Sequence, residues 1–472
     1  KNKIFAILVA FTVFCNCATC FVYAENSEET VDESAKTIEL TKAEKLISSL
    51  GILTVEPSEV ENNICRGELV TAVVKTLGLG DELLPEGSAF TDVSHDDLFA
   101  KYINYAYQMN VVNGKGDGTF GPLETITIEE AVKIITSILG YGYIAEQNGG
   151  YYAGYIKTAS TLGILNGVKI SPGNPVTKRM AAQMLENSLF VDKMEYVGSV
   201  DGQYKYIATP GKTLLRENLH LEIVKVTITG VENTGLIQAK NISKNEIELD
   251  GEKFPLTYLE AKKYLGYNVE AYRKLNDEKS VVFVSPLSED KIIEINAEDI
   301  YEIVDADSQK YKVSYDNKNL QMRTEDIFKS SYVIINGLAT VGYTEKDLLP
   351  EQGTVKIVDF NGDGKSDIVY ITSEKVMVVD SVDLINKTIY GKRNDKVEID
   401  NQFAKVSITK GITSVGLGEI GEWDVLTIVE SKEENNVKIV DIIVSNVDKL
   451  EGYISDTYKD SIKIDGIDYK IS

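Results

Sequence analysis

The spacing of apolar residues changes near residue 190, and this change limits the folds open to the chain. Before it, apolar residues recur at helical intervals; from Ile128 to Leu139 they fall at offsets 0, 3, 4, 7, 10 and 11. From about Tyr196 onward, short runs of Val, Ile, Tyr and Thr alternate with Asn-Gly, Asp-Gly and Asn-Asp turns, which is typical of β-strands. The sequence therefore predicts a multidomain chain with an all-α region followed by mainly β domains.

The first 24 residues predict a secretory signal peptide. A basic start is followed by the apolar run Ile4–Phe14, which is too short to span a bilayer, and the small residue Ala24 ends the segment. Cleavage after Ala24 removes three of the four cysteines and leaves Cys65, so no internal disulfide is expected. Residues 25–40 are acidic and Ser-rich, and we expect a flexible leader there. The sequence thus predicts a secreted protein.

Composition excludes several classes of partner and chemistry. The chain has 73 acidic and 49 basic residues, a formal net charge of −24, and such a surface repels nucleic acid and anionic lipid. Its two histidines, His95 and His220, are too few for us to expect a histidine-based metal site or catalytic triad. The sequence has no G-x-S-x-G, H-E-x-x-H or nucleotide-binding loop. It therefore indicates no catalytic site.

The helical region contains three related segments. Each has a helix, a loop and a second helix, and the second helices begin alike. In the middle copy, Thr127 and Glu130 have the spacing of a capping box, in which the hydroxyl accepts from the N3 amide and the carboxylate accepts from the cap amide. We expect the outer copies to keep half of the box each, because Glu68 follows no hydroxyl cap and Thr177 is followed by no glutamate.

Phe90–Gly140 resembles an S-layer homology repeat. The matching features are the leading F-x-D-V, the helix after it, the loop N-G-x-G-D-G-T-F-x-P and the helix start I-T-x-E-E, in the order of that family. The flanking copies are weaker, and the resemblance covers about residues 41–192, with repeats at about 41–80, 90–141 and 145–192. The resemblance implies a pseudo-threefold helical module that binds a cell-wall polysaccharide, commonly one that carries ketal-linked pyruvate.

The loop of this repeat, NGKGDGTFGP (Asn113–Pro122), is predicted to be a turn. It fails the P-loop and dinucleotide-binding patterns because Met109 and Thr119 stand where glycines are required. The glycines on either side of Asp117 can adopt positive φ. We expect this turn to let Phe120 pack inward.

The resemblance also implies a glycan-binding set. Family members usually carry Thr-Arg-Ala-Glu at each second-helix start, where the arginine and the helix amides can meet a pyruvyl carboxylate. In this chain Arg66 keeps that position, Ile128 replaces it in the second repeat and Lys178 in the third. We therefore expect one anionic-sugar groove at Arg66, a weaker one at Lys178 and none in the middle. The predicted glycan-binding residues are Arg66, Glu68, Asp117, Thr177 and Lys178. The alternative is that they are surface charges and turn residues of a purely structural module.

A second motif, Asp359–Ile371, has the spacing of a Ca²⁺-binding loop. Aspartate or asparagine stands at positions 1, 3, 5 and 9, and Gly364 stands at position 6, where the turn is sharpest. The predicted ligands are Asp359, Asn361, Asp363, Asp367 and the carbonyl of Lys365. Position 12 is Tyr370 instead of a glutamate, so the motif resembles the Asp-rich loops between strands of bacterial surface repeats rather than an EF-hand. We expect a weak, structural Ca²⁺ site; the alternative is an ordinary hairpin turn.

The β region repeats a strand–turn–strand pattern. Its copies are residues 245–256, 395–406 and 460–471, each centred on an Asp-Gly or Asp-Asn turn. A further strand pair follows the first two copies, and we expect the natural chain to continue beyond Ser472 with such a pair. Tyrosines at alternating positions could form sugar-stacking platforms or simply pack across strands. The predicted β domains are 196–300, 301–380 with the Asp-rich loop, and 381–472.

Two functions remain open on the sequence alone. The first is a non-catalytic, S-layer-type protein of the cell wall, anchored to polysaccharide by the helical module, displaying a β-rich stalk and able to self-associate in a surface layer. It predicts no nucleic-acid partner and no membrane contact after signal cleavage. The second is an extracellular hydrolase on the same anchor, with its catalytic domain beyond Ser472 or unrecognised in the β region. Turnover of wall or plant polysaccharides would distinguish them.

Overall fold

A computed structural model describes residues 39–200, 203–276, 278–287, 291–360, 362–399, 402–411, 413–445, 453–458 and 461–470. The predicted signal peptide and residues 25–38 of the predicted leader lie outside these ranges, as does Asn361 of the predicted metal site. Within them, helices come first and strands follow. The change in apolar spacing therefore predicts the division of the chain correctly.

Seven helices form the N-terminal unit of the described chain. They are α1 (Lys42–Ser49), α2 (Arg66–Lys75), α3 (Ala100–Gln108), α4 (Ile128–Ile138), α5 (Gly142–Gln147), α6 (Ala153–Thr161) and α7 (Lys178–Leu189). Helix α7 packs on α1, α2 on α3, and α4 on α6, so each of these contacts joins two predicted repeats. Their apolar faces meet in one buried core. No helix in the described ranges is long and apolar enough to cross a membrane.

The second helix of each predicted repeat begins at a side-chain cap. Thr127 Oγ1 accepts from the Glu130 amide at 3.4 Å, and Glu130 Oε2 accepts from the Thr127 amide at 3.0 Å, which confirms the capping box. The prediction of half a box in the first repeat is wrong, because the Cys65 thiol replaces the hydroxyl. Cys65 Sγ accepts from the Glu68 amide at 3.5 Å, and Glu68 Oε2 accepts from the Cys65 amide at 3.0 Å. Thr177 caps α7 with its hydroxyl, as predicted.

The backbone segments that precede α2, α4 and α7 are hydrogen bonded in a closed cycle. The Ile64 amide donates to the Val176 carbonyl at 2.9 Å, and the Val176 amide donates to the Ile126 carbonyl at 2.9 Å. The Ile126 amide completes the cycle by donating to the Ile64 carbonyl at 3.4 Å. All three side chains are fully buried. The cycle therefore brings the N-termini of three helices together around one point.

The loop Asn113–Pro122 is a turn, as predicted. Gly116 and Gly118 both have φ of +89°, in the left-handed region that favours glycine. Phe120 is fully buried and packs on Phe90, with ring centroids 5.3 Å apart. The turn thus carries an aromatic side chain into the core of the helical unit.

The rest of the described chain is mainly strands. They are β1 (Asp192–Val200), β2 (Gln203–Thr213), β3 (Leu221–Val231), β4 (Thr234–Gly235), β5 (Glu246–Leu249), β6 (Glu252–Pro255), β7 (Asn268–Lys274), β8 (Val281–Pro286), β9 (Lys291–Asn296), β10 (Ile300–Asp305), β11 (Lys310–Asp316), β12 (Met322–Phe328), β13 (Tyr332–Ile335), β14 (Leu338–Ala339), β15 (Gly353–Asp359), β16 (Ile368–Asp383), β17 (Thr388–Gly391), β18 (Lys396–Glu398), β19 (Ala404–Lys410), β20 (Thr413–Ser414), β21 (Val425–Glu430), β22 (Lys438–Val444), β23 (Ile454–Thr457), β24 (Ser461–Ile464) and β25 (Ile467–Lys470). A short helix, α8 (Glu345–Leu348), precedes β15.

These strands form five sheets in the described ranges. Strands β1 and β2 form a ribbon; the next sheet has the order β6-β5-β3-β7-β8, with β4 beside β3. Strands β10-β11-β12 and β23-β24-β25 form two small sheets, and the largest runs β14-β13-β16-β21-β22-β19-β20 with β9, β15, β17 and β18 attached. Strand β16 pairs first with β13 and β15 and then with β21 and β17. The predicted domain limit at residue 380 falls inside this strand, whose two halves lie in different buried clusters.

Two of the three predicted strand–turn–strand units are hairpins. Strands β5 and β6 pair with each other, as do β24 and β25. In the middle copy the prediction is wrong, because β18 pairs with β17 and β19 pairs in parallel with β22. This arrangement places Ile408 beside the buried Ile442, and a lone hairpin could not bury as much apolar surface. The strand pairs predicted after the first two copies are confirmed as β7–β8 and β21–β22.

The helical unit and the first large β-sheet share one core. Tyr272 of β7 and Phe283 of β8 belong to the same buried cluster as the helices. At the edge of this contact, Lys42 Nζ of α1 lies 3.1 Å from Glu270 Oε2 of β7. The helical unit therefore packs against the β region through both apolar and charged contacts.

Candidate glycan-binding site

Arg66 lies in the first turn of α2, and 8% of its surface is exposed. Its Nη1 lies 2.6 Å from Oε1 of Glu130, and its Nε donates to the Phe120 carbonyl at 3.1 Å. The guanidinium carbon is 4.9 Å from the centre of the Phe120 ring, within range of a cation–π interaction. Glu130 and Phe120 belong to the second predicted repeat. Arg66 therefore links two repeats through its side chain.

The Arg66 guanidinium keeps donors beyond these contacts. A guanidinium has five N–H donors in a planar fork, and the hydrogen bonds within the described chain use its Nε and Nη1. Its Nη2 has no hydrogen-bond partner among the described residues, and 10% of the Arg66 side chain is exposed. The backbone around it is held in place, since the Arg66 amide donates to the Glu124 carbonyl at 2.9 Å and the Gly67 amide donates to the Pro122 carbonyl at 2.8 Å.

Lys178 occupies the corresponding first turn of α7. Its Nζ lies 2.6 Å from Oε2 of Glu59, and 14% of its side chain is exposed. The Lys178 amide donates to the Asn62 carbonyl at 2.9 Å, and the Arg179 amide donates to the Val60 carbonyl at 2.9 Å. Lys178 therefore links the third predicted repeat to the first. Arg66 and Lys178 mark two separate contacts between repeats rather than one shared site.

The equivalent position of the middle repeat borders a cleft. Ile128 is buried at its wall, and the cleft has a volume of about 290 Å³. Glu129 also lines it and is held by the Gly173 amide, which donates to Oε1 at 2.8 Å. The other lining residues are Tyr152, Ala153, Ile156, Lys157, Ile170 and Pro172. The middle groove thus keeps its space, but its helix start presents an apolar side chain where the other two present a cation.

The remaining predicted glycan residues have local contacts. Glu68 and Thr177 cap α2 and α7, and both are bonded to amides of their own helix starts. Asp117 is exposed at the loop tip, where its Oδ1 accepts from the Thr119 hydroxyl at 2.6 Å and from the Thr119 amide at 2.9 Å. The hydrogen bond from the hydroxyl is the main cause of the lowered pKa of Asp117. These residues shape the helix starts and the loop around the two cations.

Asp92 is absent from the predicted set, yet it holds the loop that carries Phe120. Its two carboxylate oxygens accept from the amides of Phe120 and Gly121, each at 2.7 Å. Burial acts to raise the pKa of Asp92, but these two amides outweigh it and the pKa is lowered. The aspartate of the F-x-D-V motif was the signal for this role. Glu59 and Glu130, the counter-ions of the two cations, had no such signal because they are distant in sequence.

The predicted Ca²⁺ loop joins β15 to β16. Asp359 is nearly buried, and its two oxygens accept from amides of its own loop at 2.7 and 2.9 Å. Asp363 and Asp367 each accept from a further loop amide, at 2.8 and 2.7 Å. Asn361 lies outside the described residues, and within the described ranges no three His, Cys, Asp or Glu side chains are grouped as for a metal ion. Hydrogen bonds within the loop therefore hold its turn together.

Comparison with protein families defines the class of protein. Residues 89–132 match the S-layer homology domain; they span α3, the loop with Phe120 and the start of α4. The chain therefore contains an S-layer homology domain, which confirms the resemblance seen in the sequence. The described part of the chain combines that helical region with a large β-sheet region.

The chain is also similar to three bacterial surface proteins. It is 26% identical over 321 residues to the "Middle cell wall protein" of Brevibacillus brevis, covering 62% of this chain and 29% of that protein. It is 25% identical over 300 residues to the "Surface layer protein" of Brevibacillus choshinensis, covering 57% and 26%, respectively. The match to the "Cell surface protein" of Thermoanaerobacter kivui is 26% identical over 141 residues, covering 29% and 18%. The chain thus spans less than a third of each relative, and the domain and the relatives together indicate a secreted protein at the cell wall.

Proposed function

We propose that this protein is a non-catalytic component of the bacterial cell surface, anchored to a wall polysaccharide by its helical unit. The observation that carries the proposal is the position of Arg66 and Lys178. Each lies in the first turn of a helix, at a contact between two predicted repeats, where a cation beside the positive end of the helix dipole can meet an anionic sugar. The S-layer homology domain and the names of the relatives support a wall location. The β region then serves as a stalk, and copies self-associate in a surface layer.

We propose a pseudo-threefold arrangement for this helical unit. It is supported by the closed cycle of hydrogen bonds through Ile64, Ile126 and Val176. It is also supported by the order of helix contacts, in which the second helix of each predicted repeat packs on the first long helix of the next. Such an arrangement forms three related grooves, of which two begin with a cation.

The ligand group that we propose for the Arg66 groove is the carboxylate of a ketal-linked pyruvate. Arginine binds carboxylates with a planar fork of donors, and the nearby helix N-terminus favours negative charge. Glu130 already occupies one side of the guanidinium, so the sugar carboxylate would bind beside it or displace it. Lys178 offers a single ammonium group with fewer directional donors, so its groove is the weaker one. Glu68, Asp117 and Thr177 support the two grooves by holding their backbone.

Binding of the full chain to purified cell walls, before and after chemical removal of pyruvate, tests this proposal. Arg66→Ala should weaken binding by about 1.5–3 kcal/mol, the value of a charge-assisted hydrogen bond. Ile128→Ala should lower stability without lowering affinity. Arg393→Ala, which removes an exposed arginine in the β region, is the control for loss of charge. Equal wall binding by the wild type and Arg66→Ala would contradict the assignment.

A further variant separates ligand binding from the ion pair. Glu130→Gln removes the partner charge of Arg66 but retains a side chain that can complete the capping box. If Arg66 binds the sugar, this variant should bind walls at least as tightly as the wild type, because the guanidinium has lost a competitor. If Glu130→Gln and Arg66→Ala lose affinity equally, the pair is needed as a structural link and Arg66 does not recognise the sugar.

We also propose a weak structural Ca²⁺ site in the loop between β15 and β16. The proposal is supported by the spacing of Asp359, Asn361, Asp363 and Asp367. Millimolar Ca²⁺ should raise the unfolding temperature of the β region, because an ion that binds only the folded state stabilises it. Asp363→Ala should abolish that increase. An unchanged unfolding temperature in the wild type would identify the loop as an ordinary turn.

A further inference from the structure

Four tyrosines form a cluster where the helical unit meets the β1–β2 ribbon. The ring of Tyr206 stacks on that of Tyr143 in α5, with centroids 4.8 Å apart and an interplanar angle of 20°. Tyr196 lies 5.6 Å from Tyr206 and 5.9 Å from Tyr204. The outer two rings, Tyr196 and Tyr204, are 54% and 62% exposed. We call these four residues the tyrosine platform.

The ribbon places the platform on one of its two faces. Tyr196 pairs with Tyr206 across the strands, and Tyr204 lies two residues before Tyr206, so the three side chains share a face. Farther toward the helices, Met194 pairs with Ala208 on the same face, and both pack against the helical core. This face of the ribbon therefore contacts the core of the helical unit at one end and exposes the rings of Tyr196 and Tyr204 to solvent at the other.

Cross-strand packing explains only the inner half of the platform. Tyr143 and Tyr206 stack face to face and stabilise a two-stranded ribbon that would be marginal alone. The outer rings, Tyr196 and Tyr204, contribute edge contacts but leave about half or more of their surface to solvent. Within the described chain, the hydroxyls of Tyr196 and Tyr204 have no hydrogen-bond partner. Two adjacent rings with free hydroxyls are suited to a ligand that offers both C–H groups and polar groups.

The segment that carries three of the four platform tyrosines has no formal net charge. Asp192–Glu217 carries four acidic and four basic residues, while the whole chain has a net charge of −24. This segment therefore adds no net repulsion toward an acidic polymer. The platform itself has no charged ring, so the part of the polymer in contact with it need not carry the acidic group.

We propose that the tyrosine platform is a second polysaccharide contact, on which uncharged pyranose rings of the wall polymer stack. This inference rests on the proposed anchoring function. The C–H groups on one side of a pyranose are weakly positive and suit the negative face of an aromatic ring, while the tyrosine hydroxyls can bond the sugar hydroxyls. The cations of the helical unit would hold the acidic sugar, and the platform would hold neighbouring sugars of the same chain.

The first test asks whether binding needs aromatic rings at Tyr196 and Tyr204 or only apolar side chains of similar size. Soluble wall polysaccharide from Brevibacillus brevis is titrated into the full-length chain by calorimetry. The double variant Tyr196→Leu/Tyr204→Leu keeps apolar bulk and should weaken binding by about twofold to tenfold for each ring. The double variant Tyr196→Phe/Tyr204→Phe keeps the rings and should retain most of the affinity. Tyr301→Leu, at a ring that is also 62% exposed but lies in β10, should bind like the wild type.

The second test uses the wild-type protein and needs no folded variant. Nitration of tyrosine by tetranitromethane, mapped by mass spectrometry, should slow at Tyr196 and Tyr204 when the polysaccharide is present. The rate at Tyr301 should stay unchanged. Equal nitration at Tyr196 and Tyr204 with and without the polymer would overturn the platform.

The outcomes separate this inference from the anchoring function. If Arg66→Ala and pyruvate removal abolish binding while the leucine pair binds like the wild type, the platform fails and the anchor stands. If the leucine pair loses affinity while Arg66→Ala does not, the anchor assignment fails and the platform stands. If the leucine pair keeps its affinity but loses self-association in sedimentation, the rings contact a second copy of the chain, and the proposal is overturned.

Discussion

Replacing Gly140 by alanine should destabilise the contact between the end of α4 and strand β1 of the ribbon. The same replacement at Gly116, which has no such contact, should cost far less. Gly140 follows α4 with φ of +85°, and a Cβ there would lie 2.1 Å from the Met194 carbonyl oxygen of β1. Gly116 has nearly the same φ, +89°, but a Cβ there would meet nothing within 4 Å. Both substitutions therefore place an alanine in the left-handed conformation, but only Gly140→Ala also brings a Cβ against β1.

The magnitudes follow from that comparison. The left-handed conformation costs an alanine about 1–2 kcal/mol at either site. At Gly140 the new methyl group must also push β1 away, at about 1–3 kcal/mol for overpacking. The shift strains the hydrogen bond from the Met194 amide to the Leu139 carbonyl, 2.9 Å long, which contributes about 1 kcal/mol. We therefore expect Gly140→Ala to cost about 3–6 kcal/mol and Gly116→Ala about 1–2 kcal/mol.

Urea unfolding followed with two probes measures both costs. Far-ultraviolet circular dichroism reports the helical unit, and fluorescence of the single tryptophan, Trp423, reports the distant end of the β region. Gly140→Ala should shift the helical transition to lower urea and move the Trp423 transition less. If Gly140→Ala and Gly116→Ala lower the free energy of unfolding equally, the ribbon does not pack against the end of α4.

Two further predictions concern single side chains of the helical unit. A double-mutant cycle between Arg66→Ala and Glu130→Gln, followed by urea unfolding, should give a coupling energy of about 1–2 kcal/mol. The reason is that the Arg66 side of this 2.6 Å ion pair is largely shielded from water. Additive effects of the two substitutions would contradict the ion pair. The pKa of Tyr102 is raised to about 12, first by burial and then by its hydrogen bond to Asp81. The folded state therefore favours the protonated phenol of Tyr102. Its contribution to the stability of the fold is complete below the unfolded pKa of 10.0 and is lost as the pH rises through about 12. Tyr102→Phe should flatten the alkaline decline of stability, and an unchanged slope would show that another group causes it.

Features that depend on neighbouring residues could be predicted well. The spacing of apolar residues predicts α4, and the Thr127–Glu130 pair predicts its cap, because both depend on contacts within one helical turn. The turn at Gly116-Asp117-Gly118 depends on the backbone freedom of glycine and is likewise local. The capping box at Cys65 was missed because a thiol is a weak acceptor that cap patterns do not include.

Pairing between distant strands was predicted less well. The hairpins β5–β6 and β24–β25 join strands separated by a two-residue Asp-Gly turn, which specifies the pairing locally. The copy at 395–406 reads almost the same, yet β19 pairs with β22 more than thirty residues later in the chain. A strand takes the partner that buries the most apolar surface, and that partner depends on the whole β region.

The amino-acid sequence by itself determined the helices, their caps, the glycine turn and the S-layer homology motif, since each is set by interactions within a few residues. Only the tertiary structure decided that Arg66 meets Glu130, 64 residues away, that three helix starts close one cycle of hydrogen bonds, and that Tyr143 joins the tyrosines of the ribbon. The physical reason is that such contacts exist only after the intervening chain has folded. Their partners are chosen by burial and charge in the complete core, which no short stretch of sequence contains.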